Sequence, residues 1–93
     1  MDKFKKEKVL NLIEQGKKCR ETDFHAYALA YLMGENLNKW LLDCCDFLNV
    51  CFSDEEITNR FMRCRPCLPS ISECEYNTLM KGLQGLYDKI KYM

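Results

Sequence analysis

The longest apolar stretch of the chain lies in its middle, over residues 37–52, where eleven of the sixteen side chains are apolar. Three of them, Phe47, Cys51 and Phe52, widen the apolar face beyond what one packing partner could cover. The pattern therefore predicts an interior helix that other helices surround. The residues with the three-and-four spacing of one helical face are Leu37, Trp40, Leu41, Cys44, Cys45 and Leu48.

Residues 24–33 form a second segment that we assign to a helix. The stretch alternates small and large side chains, and the small ones would let a neighbouring helix approach closely. Thr22 or Asp23 would cap this helix and Gly34 would end it, after which Asn36 would cap the central helix. A connection this short predicts two antiparallel helices.

Three further helices complete the predicted architecture. The first spans residues 3–19, where apolar residues follow helical spacing. Capping boxes within residues 53–56 and 70–75 mark the starts of the other two, and the two prolines separate them. No segment shows the period-two alternation with turn signals that marks a hairpin. We therefore expect an all-α fold, a compact bundle of four to five helices, as a single domain over residues 1–93.

Composition and charge restrict the classes of function. Apolar residues make up 47% of the chain and charged residues 30%, as in a folded globular domain. Fourteen basic and fourteen acidic side chains cancel, which argues against recruitment by nucleic acid or by a membrane surface. The amino-terminal segment lacks the apolar core of a signal peptide, and no stretch reaches the length of a membrane span. We expect a cytoplasmic protein whose seven cysteines are mainly reduced thiols.

Arg20 and His25 are the first candidates for chemistry. The spacing Arg20-Glu-Thr-Asp-Phe-His25 resembles the Arg-x(4–6)-His signature of the HEPN ribonucleases, which are all-helical proteins that often dimerise. The resemblance implies RNA cleavage without a metal, in which the imidazole moves the proton of a ribose 2′-hydroxyl and the guanidinium steadies the phosphate. The alternative is a surface arginine and a histidine in the first turn of a helix.

Cys64-Arg-Pro-Cys67, followed seven residues later by Cys74, is the second candidate. Two thiolates separated by two residues can chelate zinc, and Cys74 with a ligand from elsewhere in the fold could complete a tetrahedron. The proline before Cys67 is similar to the CxPC motif of thioredoxin-like oxidoreductases, which place the pair at a helix start after a strand. Here the pair falls at the end of a predicted helix. We favour reduced structural cysteines, with a zinc-stabilised domain as the alternative.

Interaction is the function class that remains, because the sequence holds no complete catalytic or cofactor-binding motif. Aromatic residues make up 12% of the chain, and residues 21–56 hold eight acidic side chains against one basic. Tyr and Trp are enriched at binding hot spots. We predict a non-enzymatic protein, without a cofactor, that binds another protein as an inhibitor, immunity factor, adaptor or regulator. Self-association would cover an apolar edge of the last helix. The candidate partner-binding residues are Arg60, Arg63, Arg65, Tyr87 and Tyr92.

Overall fold

The computed structural model describes residues 3–92. Short connections join four α-helices, and a 3₁₀ turn follows the third helix. The fold is mostly helical, but the prediction of an all-α architecture is wrong because three short strands form an antiparallel sheet in the order β1-β2-β3. The elements in chain order are α1 (Lys3–Asp23), β1 (Phe24–Ala26), β2 (Ala30–Met33), α2 (Glu35–Cys51), α3 (Glu56–Cys64), the 3₁₀ turn (Arg65–Cys67), β3 (Ser70–Ser72) and α4 (Glu73–Ile90).

The helices pack in a closed arrangement in which α1 contacts α2 and α4, and α3 contacts the same two helices. α1 and α4 run antiparallel, since Lys6 Nζ donates to the carbonyl of Lys91 at 3.3 Å and Arg20 pairs with Glu73 at 2.7 Å. The connection between α1 and α2 therefore lies at the same end of the bundle as the connection between α3 and α4. The sheet forms there, because the first connection supplies β1 and β2 and the second supplies β3.

Trp40 occupies the centre of the bundle. Its Nε1 donates to the carbonyl of Leu12 at 2.8 Å, and its ring meets the ring of Phe61 edge to face, with 5.4 Å between centroids. Gly16 lies against the Trp40 ring, where a Cβ atom would come within 2.9 Å. The prediction of an interior helix is confirmed, since the buried residues of α2 are the six that the helical spacing selected: Leu37, Trp40, Leu41, Cys44, Cys45 and Leu48.

The helix predicted over residues 24–33 is wrong, and these residues form the β1–β2 hairpin. Its register pairs His25 with Tyr31. The alternation of small and large side chains is the two-residue period of a strand, in which neighbouring side chains point to opposite faces. Leu32 also pairs with Ile71 of β3, far away in the sequence. This distant strand supports the hairpin, and no local pattern could reveal it.

Gly34 begins α2 instead of ending a helix. Its φ of +153° lies in the region that favours glycine, and a Cβ atom there would collide with the Asp23 carboxylate. Asp23 Oδ2 accepts the backbone N–H of Leu37 at 2.7 Å, so Asp23 caps α2 in place of the predicted Asn36. The Asn36 side chain donates instead to Thr22 Oγ1 at 2.8 Å. These contacts fix the base of the hairpin to the start of α2.

The predicted capping boxes have different outcomes, and of the two overlapping boxes before α4 the one that starts at Ser70 is wrong because Ser70 belongs to β3. Ser72 Oγ accepts the backbone N–H of Glu75 at 3.0 Å, which confirms the cap of α4. The box at residues 53–56 is wrong, because α3 begins at the last of these residues and Glu55 occupies the cap position without a side-chain hydrogen bond. The backbone N–H of Glu55 bonds to the carbonyl of Phe52 at 3.1 Å, so these residues close a turn before the helix begins.

Candidate functional site

The candidate site lies on the β1–β2 hairpin, on the face that points away from the helices. Leu32 is buried, and its neighbours Tyr31 and Met33 point outward because side chains alternate across a strand. His25 pairs with Tyr31 and shares this outward face, and residues 27–29 form the loop at the tip. We call the following outward residues the hairpin surface: His25, Tyr27, Leu29, Tyr31 and Met33.

The His25 imidazole contacts two aromatic rings of the outward face. It stacks on Tyr31 with 5.1 Å between ring centroids and an interplanar angle of 17°, and on Tyr27 at 6.4 Å with the same angle. His25 Nε2 lies 3.2 Å from the carbonyl oxygen of Met33. A carbonyl only accepts hydrogen bonds, so this contact requires a proton on Nε2. In neutral His25 the Nδ1 atom then carries the lone pair.

The tip of the hairpin exposes two large apolar side chains that are two residues apart in the sequence. Tyr27 is 81% exposed and Leu29 is 80% exposed. Moving a leucine side chain from water into an apolar contact gains about 1.5–3 kcal/mol. Tyrosine adds a large flat ring with few rotatable bonds, which limits the entropy lost on binding. The tip can therefore anchor a second molecule.

The outer edge of β1 adds backbone groups to this surface. β1 pairs with β2 on one side, and within residues 3–92 no strand pairs with its other side. Outward N–H and C=O groups of an edge strand can bond to a strand of another molecule. β1 has only three residues, which leaves room for about one or two such bonds. The apolar tip thus contributes more contact area than the edge.

The base of the hairpin is held by α1 and α4. The Arg20 guanidinium lies 4.3 Å from the ring centroid of Phe24, and its Nη2 is 2.7 Å from the Glu73 carboxylate of α4. Phe24 faces the helices and packs against the core. Arg20 therefore fixes the face of β1 that packs on the helices, while the opposite face, with His25, points away from them.

Arg20 and His25, which share the HEPN-like spacing, consequently contact different partners. Arg20 contacts Phe24 and Glu73 on the inner side of the sheet, whereas His25 stacks on tyrosines on the outer side. His25 also belongs to a strand and not to the first turn of a helix. The structure does not bring the guanidinium and the imidazole to one point.

The three candidate zinc ligands differ in their surroundings. Cys64 is buried and its Sγ donates to Glu75 Oε1 at 2.8 Å; burial and this hydrogen bond raise the pKa of Cys64 to about 12. Cys67 and Cys74 are exposed, and all seven cysteines are free. Across residues 3–92, no three His, Cys, Asp or Glu side chains are grouped so as to hold a metal ion.

The predicted partner-binding residues are dispersed over the molecule. Arg60 pairs with a carboxylate oxygen of α4 at 3.6 Å, while Arg63 and Arg65 are exposed near the sheet end of the bundle. Tyr87 is half-buried against the core, and Tyr92 is 86% exposed at the opposite end. These five side chains do not form one continuous surface.

The sequence prediction missed the hairpin surface apart from His25. Small and large side chains alternate over residues 26–31, which is a two-residue period, but the alternation alone does not exclude a helix. Residues 27–29 carry none of the Gly, Asn or Asp residues that usually mark a hairpin turn. Without such a turn signal, the alternation favours close packing between helices.

Comparisons with protein-family models, with curated proteins and with solved structures give no match. No helix within the described residues is long and apolar enough to cross a membrane.

Proposed function

We propose that this protein acts by binding another protein, and that the hairpin surface makes the contact. The observation that carries the proposal is the exposure of Tyr27 and Leu29, at 81% and 80%, on a hairpin whose base is fixed to three helices. The core is already closed around Trp40, so these two side chains are not needed to complete it. Exposed large apolar groups on a rigid support are typical of binding hot spots.

The tip would supply an anchor and not the whole affinity. Burial of both tip side chains would contribute about 3–6 kcal/mol before the entropy cost of association. Micromolar binding requires about 8 kcal/mol in total. The stacked rings of His25 and Tyr31 and the outer edge of β1 would supply further contacts.

The charges beside the hairpin indicate the chemistry of the partner. Glu21 and Glu35 are exposed at the end of α1 and the start of α2, on either side of the hairpin base. A partner with an apolar cleft and a basic rim would complement this surface. We place the interaction in the cytoplasm, where a chain with seven free cysteines stays reduced. An inhibitor, immunity factor, adaptor or regulator would act in this way.

Affinity capture from the native host tests the proposal. The tagged full chain is compared with the double variant Tyr27→Ala/Leu29→Ala, and captured proteins are identified by mass spectrometry. The matched control is Val50→Ala/Tyr92→Ala, which removes side chains that are 81% and 86% exposed at the opposite end of the molecule. We expect the hairpin variant to lose its partner at least about tenfold while the control retains it.

The opposite pattern would refute the assignment of the site. Loss of the partner in the control variant alone would move the contact to the end that carries Tyr92. Light scattering of the same proteins tests self-association: a dimer that becomes a monomer only in the hairpin variant identifies a second copy as the occupant. The emission of the buried Trp40 checks that each variant is folded.

A further inference from the structure

Cys64 and Cys67 form a pair of neighbouring thiols that the proposed binding role does not use. Cys64 is the last residue of α3, and Cys67 is the last residue of the 3₁₀ turn. Side chains three residues apart eclipse one another in such a turn, and a rise of about 2 Å per residue separates their Cα atoms by about 6 Å. A disulfide bond spans this separation. The backbone therefore places the two Cα atoms at a spacing that a disulfide bond can bridge.

The two thiols share one surface depression but differ in exposure. Cys67 is exposed, whereas Cys64 is buried. Cys64 Sγ donates to Glu75 Oε1 at 2.8 Å, and Arg60 Nη1 lies 3.6 Å from the other oxygen of that carboxylate. A small oxidant therefore reaches Cys67 first, and Cys64 has a carboxylate in place to accept its proton. The depression is lined by Arg63, Cys64, Cys67, Ser70, Ile71, Ser72 and Glu75.

We propose that Cys64 and Cys67 are an oxidation site for hydroperoxides, at which Cys67 is oxidised first, Cys64 then closes a disulfide bond, and Glu75 accepts the proton of Cys64. In the first step the Cys67 thiolate attacks a peroxide oxygen. The S–O bond forms, the O–O bond breaks, and the leaving hydroxide takes up the proton that the Cys67 thiol lost, which gives water and a sulfenic acid on Cys67.

In the second step the Cys64 sulfur attacks the Cys67 sulfur. The S–S bond forms, the S–O bond breaks and hydroxide leaves. The Cys64 proton passes to Glu75, which hands it to the departing hydroxide and so gives water. Two thiols and one hydrogen peroxide thus give one disulfide and two waters.

The surroundings of each thiol support this order of events. Burial, followed by the Glu75 hydrogen bond, raises the pKa of Cys64 to about 12, so Cys64 stays protonated and does not attack peroxide itself. Disulfides in a reducing cytoplasm are mostly transient and redox-sensing. The reaction is a reversible modification of the chain and not a catalytic cycle, and it is independent of the partner contact proposed above.

Mass spectrometry of the oxidised full chain tests the site. The reduced protein is treated with hydrogen peroxide, alkylated and digested with trypsin, which does not cut before Pro66. The peptide over residues 64–81 then holds three cysteines. Compared with the reduced peptide before alkylation, we expect the loss of two hydrogen atoms from the Cys64–Cys67 pair and the addition of one alkyl group, at Cys74. Dithiothreitol should restore all three alkylated thiols.

Single variants separate the roles of the residues. Cys67→Ser should abolish the mass loss, and Cys64→Ser should stop the reaction at a sulfenic acid on Cys67 that dimedone traps. Cys74→Ser is the matched control, because it changes an exposed thiol outside the depression and should leave closure intact. Glu75→Gln should slow closure about tenfold or more, since it removes the proton acceptor. Trp40 emission verifies the fold of each variant.

Three outcomes would overturn the proposal. One is a folded protein whose peptide keeps three alkylatable thiols after peroxide treatment. Another is a disulfide that forms equally in Cys67→Ser, because it would then join Cys64 to Cys74. An unchanged closure rate in Glu75→Gln would remove the carboxylate from the reaction.

Discussion

A methyl group added at residue 16 tests how tightly the core closes around Trp40. In Gly16→Ala the new Cβ atom would lie 2.6 Å from Met80 Sδ and 2.9 Å from the Trp40 ring. Alanine gains about 1 kcal/mol of helix propensity over glycine. Overpacking costs about 1–3 kcal/mol, and displacement of the Gly16 carbonyl, which accepts from Tyr76 Oη at 2.8 Å, costs about 1 kcal/mol more. We expect a net loss of about 1–3 kcal/mol.

Gly85→Ala is the matched control, because the same substitution there meets no atom within 4 Å. It should stabilise the protein by about 0.5–1 kcal/mol through helix propensity alone.

Urea unfolding followed by fluorescence measures both effects, since Trp40 is the only tryptophan. With an m value of about 1–2 kcal/mol/M, the midpoint of Gly16→Ala falls by about 1 M and that of Gly85→Ala rises by about 0.5 M. A Gly16→Ala protein as stable as the parent would refute the close packing of α1 on Trp40.

The α2 cap, the buried thiols and the HEPN-like spacing each give a further test. Asp23→Ala should lower the free energy of unfolding by about 1–3 kcal/mol, because the Leu37 amide at the start of α2 loses its acceptor. The control Glu21→Ala, at an exposed position, should change it by less than about 0.5 kcal/mol. Equal effects of the two substitutions in urea unfolding would contradict the cap. Burial raises the pKa of Cys19 and Cys64 from 9.0 to about 12, so their contribution to stability is complete below about pH 9 and is lost as the pH rises towards 12. Urea midpoints should therefore fall above pH 9, and a flat profile would show that these thiols ionise as readily in the folded chain as in the unfolded one. Labelled RNA should remain intact with the wild-type protein, because the Arg20 guanidinium is already paired with Glu73. Cleavage of the RNA that His25→Ala abolishes would restore the ribonuclease hypothesis.

The helical part of the fold follows from local pattern. The three-and-four spacing of α2 selected its six buried residues without error, because a helix that is packed on most sides repeats its apolar positions every turn. Ser72 could be assigned as a cap for the same reason, since its acceptor atom and the Glu75 amide are three residues apart. Asp23 could not be assigned to α2, because it reaches the Leu37 amide across fourteen residues.

The candidate sites differ in how much of each can be predicted from the sequence. The proximity of Cys64 and Cys67 follows from their sequence separation, but the Glu75 carboxylate reaches Cys64 only because α3 and α4 pack antiparallel, with Glu55 paired to Lys89 at their other ends. The partner-binding prediction selected aromatic and basic residues by type. Type alone does not indicate which aromatic side chains the core leaves outside.

By itself, the sequence determined that the central segment is a helix with Trp40 inside, since the burial of a helix repeats along the sequence with its turns. Only the tertiary structure decided that residues 24–33 form a hairpin. Strands this short are stable when a third strand completes the sheet, and that strand, Ser70–Ser72, is separated from the hairpin in sequence by α2 and α3. Long-range pairing thus created the outward face that carries Tyr27 and Leu29, and no property of the hairpin segment alone required it.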